Sequence, residues 1–242
     1  QQGYPAEAVR YYLRGLANGR LAEMPLREAL ATPIRLSDCG TAGPLVDLVK
    51  LDDISADFIA TLTAADVLAR LRTWARATDA DLARVLDAEP DLALRSLAIE
   101  REGTDHPRKD LRKWAGFRPG YGYFFPQLFD PVTSPADARF GGLDSGLVRE
   151  LAAAFADGYQ PPGPDGEWFG QIRDLAGRLG FAPSQKVYKQ DPAAYRGSIR
   201  DASQVIRVLL TGTGRSPDLG AIAEVLGRDE VLRRAHAVAA PA

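Results

Sequence analysis

The chain has 242 residues and a net charge of −2, with an ordinary soluble mix of 45% hydrophobic and 26% charged residues, so one or two domains with a core of their own are expected. Its single cysteine, Cys39, excludes an intrachain disulfide, and two distant histidines, His106 and His236, argue against a zinc site. No apolar run nears the ~20 residues that span a bilayer and no signal peptide is visible, so neither a membrane partner nor export is expected; a reducing, cytoplasmic setting is.

Helix signals dominate. Pro5 opens the first predicted helix, with Ala8, Val9, Tyr12, Leu13 and Leu16 at helical spacing and Asn18-Gly19 as a stop. The apolar positions from Leu45 to Leu62 predict one or two more. Thr63 reads as an N-cap for a helix through Val67, Leu71 and Trp74, and Thr78 or Asp79 as the cap of the next. Asp91 to Ile99 predicts another, and Pro107 to Trp114 a short basic helix. The aromatic, turn-rich stretch from Arg118 to Pro126 and the prolines and glycines of 130–142 mark the best domain boundary. Beyond it, helices are predicted over Leu143–Phe155, Trp168–Leu179, Ile199–Leu210, Leu219–Leu226 and Glu230–Val238, with a stiff loop at Pro161-Pro162-Gly163-Pro164 and the stretch 180–192 undecided. The expected fold is all-α: two tandem helical bundles, residues 1–128 and 129–242. Tyr121, Tyr123, Phe124, Phe125 and Phe129 are expected to fill the hinge core rather than form a stacking platform, and the tryptophans to be core.

Charge is segregated. Asp52 to Glu102 holds eleven acids and six bases, Arg101 to Arg118 six bases and three acids, and Lys186 to Arg215 six bases and two acids. A phosphate backbone responds to the local field, so the basic segments suit a polyanion; solvated helix faces are the bland alternative. No Ser/His/Asp or paired-carboxylate set is suggested by spacing. The Asp52-Asp53 pair reads as a solvated helix surface.

Four blocks carry a resemblance. Gly3-Tyr4-Pro5-Ala6-Glu7-Ala8-Val9-Arg10-Tyr11-Tyr12-Leu13 resembles G-Y-x-P-E-A-[LV]-x-N-Y-L, one residue short and with Tyr11 for Asn. Val46-Asp47-Leu48-Val49-Lys50-Leu51 mirrors F-D-x-x-K-L, though the W-[LM]-N that should follow is replaced by Asp52-Asp53-Ile54-Ser55. Pro107-Arg108-Lys109-Asp110-Leu111 through Tyr123-Phe124-Phe125 is similar to R-x-x-T-L…Y-[FL]-F. Arg207 through Thr211-Gly212 to Ser216-Pro217-Asp218-Leu219 follows R-V-A-[LV]-T-G-x-x-x-[ST]-P-x-L. In this order they resemble the anticodon-side, C-terminal half of bacterial glutamyl-tRNA synthetases, class I, with the departures of a divergent member. The family's H-x-G-H and K-M-S-K-[SR] motifs are absent.

The resemblance implies a monomeric tRNA-binding module for glutamate tRNA, attached in its parent chain to an N-terminal catalytic domain that would bind ATP and Mg. An opening without Met is in keeping with an excised or processed segment. Carried over by position, Arg108 reads the third anticodon base, Gln204 and Arg207 share a helix face and read another, Ser216, Pro217 and Leu219 form a loop against a base, and Arg215 meets a phosphate. Each residue also has a plain reading: Arg108 a solvated charge, Gln204 and Arg207 a polar stripe, Ser216 an N-cap with Pro217 at the first helical position. Lys186, Lys189, Arg196 and Arg200 read as generic charges or nonspecific phosphate contacts. A diverged paralogue acting as a protein-interaction or regulatory module is the alternative function; an enzyme in its own right has no catalytic set to support it.

Overall fold

The computed structural model describes residues 2–41, 43–163 and 168–240, so Pro164 of the expected stiff loop lies outside it. The chain divides into two compact units, Gln1–Tyr121 and Gly122–Ala242. Among the described residues there is no strand, only an isolated bridge between Ala182 and Ser198, and no helix is long and apolar enough to cross a membrane.

In the first unit the helices are α1 (Ala6–Ala17), α2 (Leu26–Ala31), α3 (Leu48–Ala60), α4 (Ala64–Thr78), α5 (Ala80–Ala88), α6 (Pro90–Ala98) and the one-turn α7 (Phe117–Tyr121). Capping side chains set several of the starts. Asp47 accepts from the Val49 N–H at 2.8 Å, Thr63 from Asp66 at 3.1 Å and Asp79 from Leu82 at 3.0 Å. Asp79, not Thr78, is therefore the cap of α5, and the apolar run 45–62 holds one helix, because Asp47 opens it after Leu45 and Val46. α1 packs on α3, and α4 on α5 and α6, burying Tyr12, Ile59, Leu71, Leu86 and Leu97.

Residues 107–113 are not helical, against the expectation of a short basic helix. Pro107 has no N–H to give, and the Arg108 N–H is taken by the Glu100 carbonyl at 3.0 Å. The segment then runs without helix, buries Leu111 and is extended at Lys113. It ends where the Trp114 N–H bonds the Gly3 carbonyl at 2.9 Å. Gly3 sits at φ +81°, and a Cβ there would lie 2.7 Å from the Trp74 indole nitrogen and 2.8 Å from the Trp114 Cβ. Only glycine lets the first residues pass between the two tryptophans.

The second unit holds α8 (Ser145–Gly158), α9 (Trp168–Arg178), α10 (Gln185–Gln190), α11 (Ile199–Thr211), α12 (Leu219–Leu226) and α13 (Arg228–Ala239). Asp144 caps α8 through the Leu147 N–H at 2.9 Å; at the start of α11 the Ser198 N–H reaches the Asp201 carboxylate at 2.7 Å. The undecided stretch contains α10, opened by Ser184. α8 packs on α11 and α13 around Val148, Leu151, Val205, Leu209 and Val238. This core holds one face of α11, and the opposite face carries Arg200, Gln204 and Arg207.

Candidate functional site

On α11 the positions Arg200, Gln204, Arg207 and Thr211 recur at helical spacing and share one stripe. The helix stops at Gly212, whose φ of +66° is the left-handed conformation that closes a helix, with its N–H on the Val208 carbonyl at 2.8 Å. The chain then folds back over the stripe. Thr211 Oγ1 donates to its own helix at the Arg207 carbonyl, 2.7 Å, and Thr213 Oγ1 to the Arg215 carbonyl, 2.6 Å. Arg207 closes the fold: its Nη1 donates to the Ser216 hydroxyl, to the Ser216 carbonyl at 3.1 Å and to the Pro217 carbonyl at 3.1 Å. Gly214 lies so close to the stripe that a Cβ on it would stand 2.7 Å from the Gln204 amide nitrogen.

Gln204, Arg207, Arg215, Ser216, Pro217 and Leu219 are thus brought together, while Arg108 is in the other unit. Their roles differ within the group. Pro217 and Leu219 are buried and anchor the loop. Ser216 is not the N-cap that its Ser-Pro sequence suggests. Asp218 caps α12, accepting from the Ala221 N–H at 2.9 Å, because a carboxylate one residue before the helix reaches that orphan donor. Arg215 points out of the loop; among the described residues its guanidinium has no hydrogen-bond or ion-pair partner, and neither does the Gln204 amide.

The two basic segments meet different fates. In the first unit Arg108 donates to Asp110 at 2.9 Å and to Glu100 at 3.1 Å, Lys109 pairs with Asp57 at 2.8 Å, and Lys113 lies 3.6 Å from Asp52, which Tyr4 also bonds at 2.6 Å. Burial opposes the charge of Arg108, but Asp110 and Glu100 outweigh it and raise its pKa. The acidic and basic segments of the sequence therefore neutralise one another. In the second unit Arg196 is paired with Glu150 at 2.7 Å, but Lys186, Lys189, Arg200 and Arg215 have no such partner among the described residues. Lys186 and Lys189 lie on α10, which reaches the start of α11 through Gln185 and Ser198, 2.7 Å apart.

Several carboxylates in both units are held below their ordinary range. The Arg139 guanidinium and N–H bring Asp137 down to about 2; Arg233 and Arg234 lower Glu230 against the opposing effect of burial. For Asp79 burial works upward, and the Leu82 N–H and Arg118 outweigh it. Each is lower folded than unfolded, so its contribution is present above the unfolded value of about 4 and lost as pH falls through the folded one. The melting temperature, followed by circular dichroism, should fall progressively from about pH 5 to pH 2; a flat profile to pH 3 would refute this.

Residues 195–239 match the family described as "Anticodon binding domain". The chain is 31% identical over 239 residues to the glutamate–tRNA ligase of Sorangium cellulosum (strain So ce56), covering 96% of this chain and 41% of that protein. It is 29% identical over 238 residues to that of Clostridium perfringens (strain 13 / Type A), with 97% and 43% covered. The chain thus spans less than half the length of these relatives. The crystal structure of glutamate–tRNA synthetase from Elizabethkingia anophelis superposes with a TM-score of 0.59 over 97% of this chain and 40% of that one, at 16% identity, so the fold is shared. Over nearly its whole length the sequence is similar to the C-terminal part of these glutamate–tRNA ligases, and its all-α fold is shared with the solved synthetase.

Proposed function

We propose that this chain is a tRNA-binding module that recognises the anticodon of glutamate tRNA, as the non-catalytic part of a glutamate–tRNA ligase whose other half would carry the ATP- and Mg-dependent ligation. The reading asks no cofactor of these residues and fits a cytoplasmic monomer. Its support is the stripe on α11 and the loop folded over it. Arg200 and Arg215, which have no ion-pair partner among the described residues, lie there with an amide, Gln204, whose donor and acceptor are unspent among those residues. Single-stranded bases are read by such groups, and phosphates are held by such cations. We assign phosphate contact to Arg215, base contact to Gln204, and positioning of the loop, with direct contact to a base, to Arg207. The first unit contributes by stem and anticodon contact, with Arg108 facing the third base; to do so Arg108 must exchange Glu100 or Asp110 for the RNA.

A protein-interaction role has one observation in its favour: the first unit exposes Leu36 and Leu45, both 91% exposed, and the apolar side chains of Val46, Leu48 and Val49. It forecasts no salt-sensitive RNA binding. Fluorescence anisotropy with glutamate tRNA and a noncognate tRNA at two salt concentrations separates the two. Cognate preference that weakens with salt supports anticodon reading, and equal weak binding to both sinks it. Arg215→Ala should weaken both complexes alike and lower the salt slope by about 0.7–0.9, the share of one phosphate.

A further inference from the structure

The loop is held from above by Arg207; what holds it from below comes from parts of the unit far away in sequence. Arg234 on α13 is only 1% exposed. Its Nη1 donates to the Leu210 carbonyl in the last turn of α11, its Nη2 to the Tyr123 carbonyl at 2.7 Å, and its Nε to Glu230 at 2.7 Å. The guanidinium stands 4.5 Å from the centre of the Phe129 ring. The same ring closes on Gly212: a Cβ added there would lie 2.9 Å from Phe129 Cε2 and 3.2 Å from Arg139 Nη1. Arg139 is itself fixed by Asp137 at 2.8 Å and by the Asp130 carbonyl at 2.8 Å. The residue at which the chain leaves α11 therefore rests on an aromatic plate that a buried cation backs. A carbonyl at a helix C-terminus that receives a cation is also favoured by the helix dipole.

We infer that Arg234 and Phe129 are positioning residues for the loop that follows α11: they set the direction in which the chain turns at Gly212, and so where Gly214, Arg215 and Ser216 meet the RNA. Neither lies on the stripe or in the loop. The inference rests on the anticodon reading above.

The test uses the full 242-residue chain, glutamate tRNA and the same transcript with one anticodon base changed. The quantity read is the ratio of the two affinities. Phe129→Leu and Arg234→Lys should each lower this ratio about fivefold. Ile172→Val, a core change in α9 outside the brace, serves as the control for lost stability and should leave the ratio as it was. Thermal melts accompany each variant. Should Arg234→Lys not fold, Phe129→Leu decides alone. A ratio preserved in the brace variants, whatever their melting temperatures, overturns the inference and leaves the anticodon reading standing. An unsubstituted chain that does not distinguish the two transcripts overturns the reading and the inference with it.

Discussion

Arg101→Met lowers the stability of the first unit by about 3 kcal/mol, the largest effect expected of any single change there. Arg101 is 7% exposed and follows α6. Its Nη1 donates to the carbonyls of Ile59 at 2.7 Å and Leu62 at 3.3 Å, its Nε to that of Leu97 at 3.1 Å. Those carbonyls lie in and just past the last turns of α3 and α6, where helices leave acceptors short of donors; Ile59 also receives the Leu62 N–H at 3.1 Å, so Leu62 and Leu97 are the acceptors that depend on Arg101. Methionine replaces the stem of the side chain but not its donors. Each buried acceptor left behind costs roughly 1–3 kcal/mol, reduced where water enters. Urea unfolding reads the result, and because the chain is two units one transition should move by about 1–3 M while the other stays. A shift of both transitions together, or of neither, refutes the assignment.

Arg207→Ala lowers affinity for glutamate tRNA by about 10- to 100-fold, the loss of a positioned, charge-bearing contact worth roughly 1.4–3 kcal/mol. The substitution removes three donations, to the Ser216 hydroxyl and to the carbonyls of Ser216 and Pro217. The loop then leaves the stripe, and Gln204 loses the backbone that passes over it. Arg207→Lys keeps the charge but not the planar fork, so an intermediate loss is expected. The salt slope separates the two ways in which Arg207 can act. If it neutralises a phosphate, the slope drops as for Arg215→Ala. If it shapes the loop, the slope holds and preference for the cognate anticodon disappears. Binding indistinguishable from that of the unsubstituted chain would remove Arg207 from the site.

Where local chemistry decides structure, the sequence is a good guide. The apolar period and the Thr63 cap mark α4, and Thr211-Gly212 marks the end of α11, because periodicity, an orphan N–H and a left-handed turn are each satisfied within a few residues. The grouping of the candidate residues was legible to the same extent: the stripe and its loop are contiguous in sequence, so residues from 204 to 219 fall together. Two readings failed because a distant or stronger partner intervened. The basic segment at 107–114 has helical composition, yet Glu100 and the Gly3 carbonyl take its backbone donors. Ser216-Pro217 has the form of a helix start, yet Asp218 outcompetes it and Arg207 occupies the hydroxyl. Arg101 and Arg234 carry no local signal at all. Their partners lie up to 111 positions away, and an arginine in a helical stretch looks the same whether it faces solvent or three carbonyls.

The mutual neutralisation of charge in the first unit bears on how fast a polyanion is captured. With a net charge of −2, the molecule as a whole does not draw in an RNA from afar. The positive field is local, from the cations between Lys186 and Arg215, and extends only about one Debye length, ~8 Å at physiological salt. Encounters are therefore unguided until the surfaces nearly touch, and the association rate constant should stay near an unsteered value of about 10⁵–10⁶ M⁻¹s⁻¹. Right and wrong anticodons would then arrive equally often, and the difference between them would lie in how long each one stays.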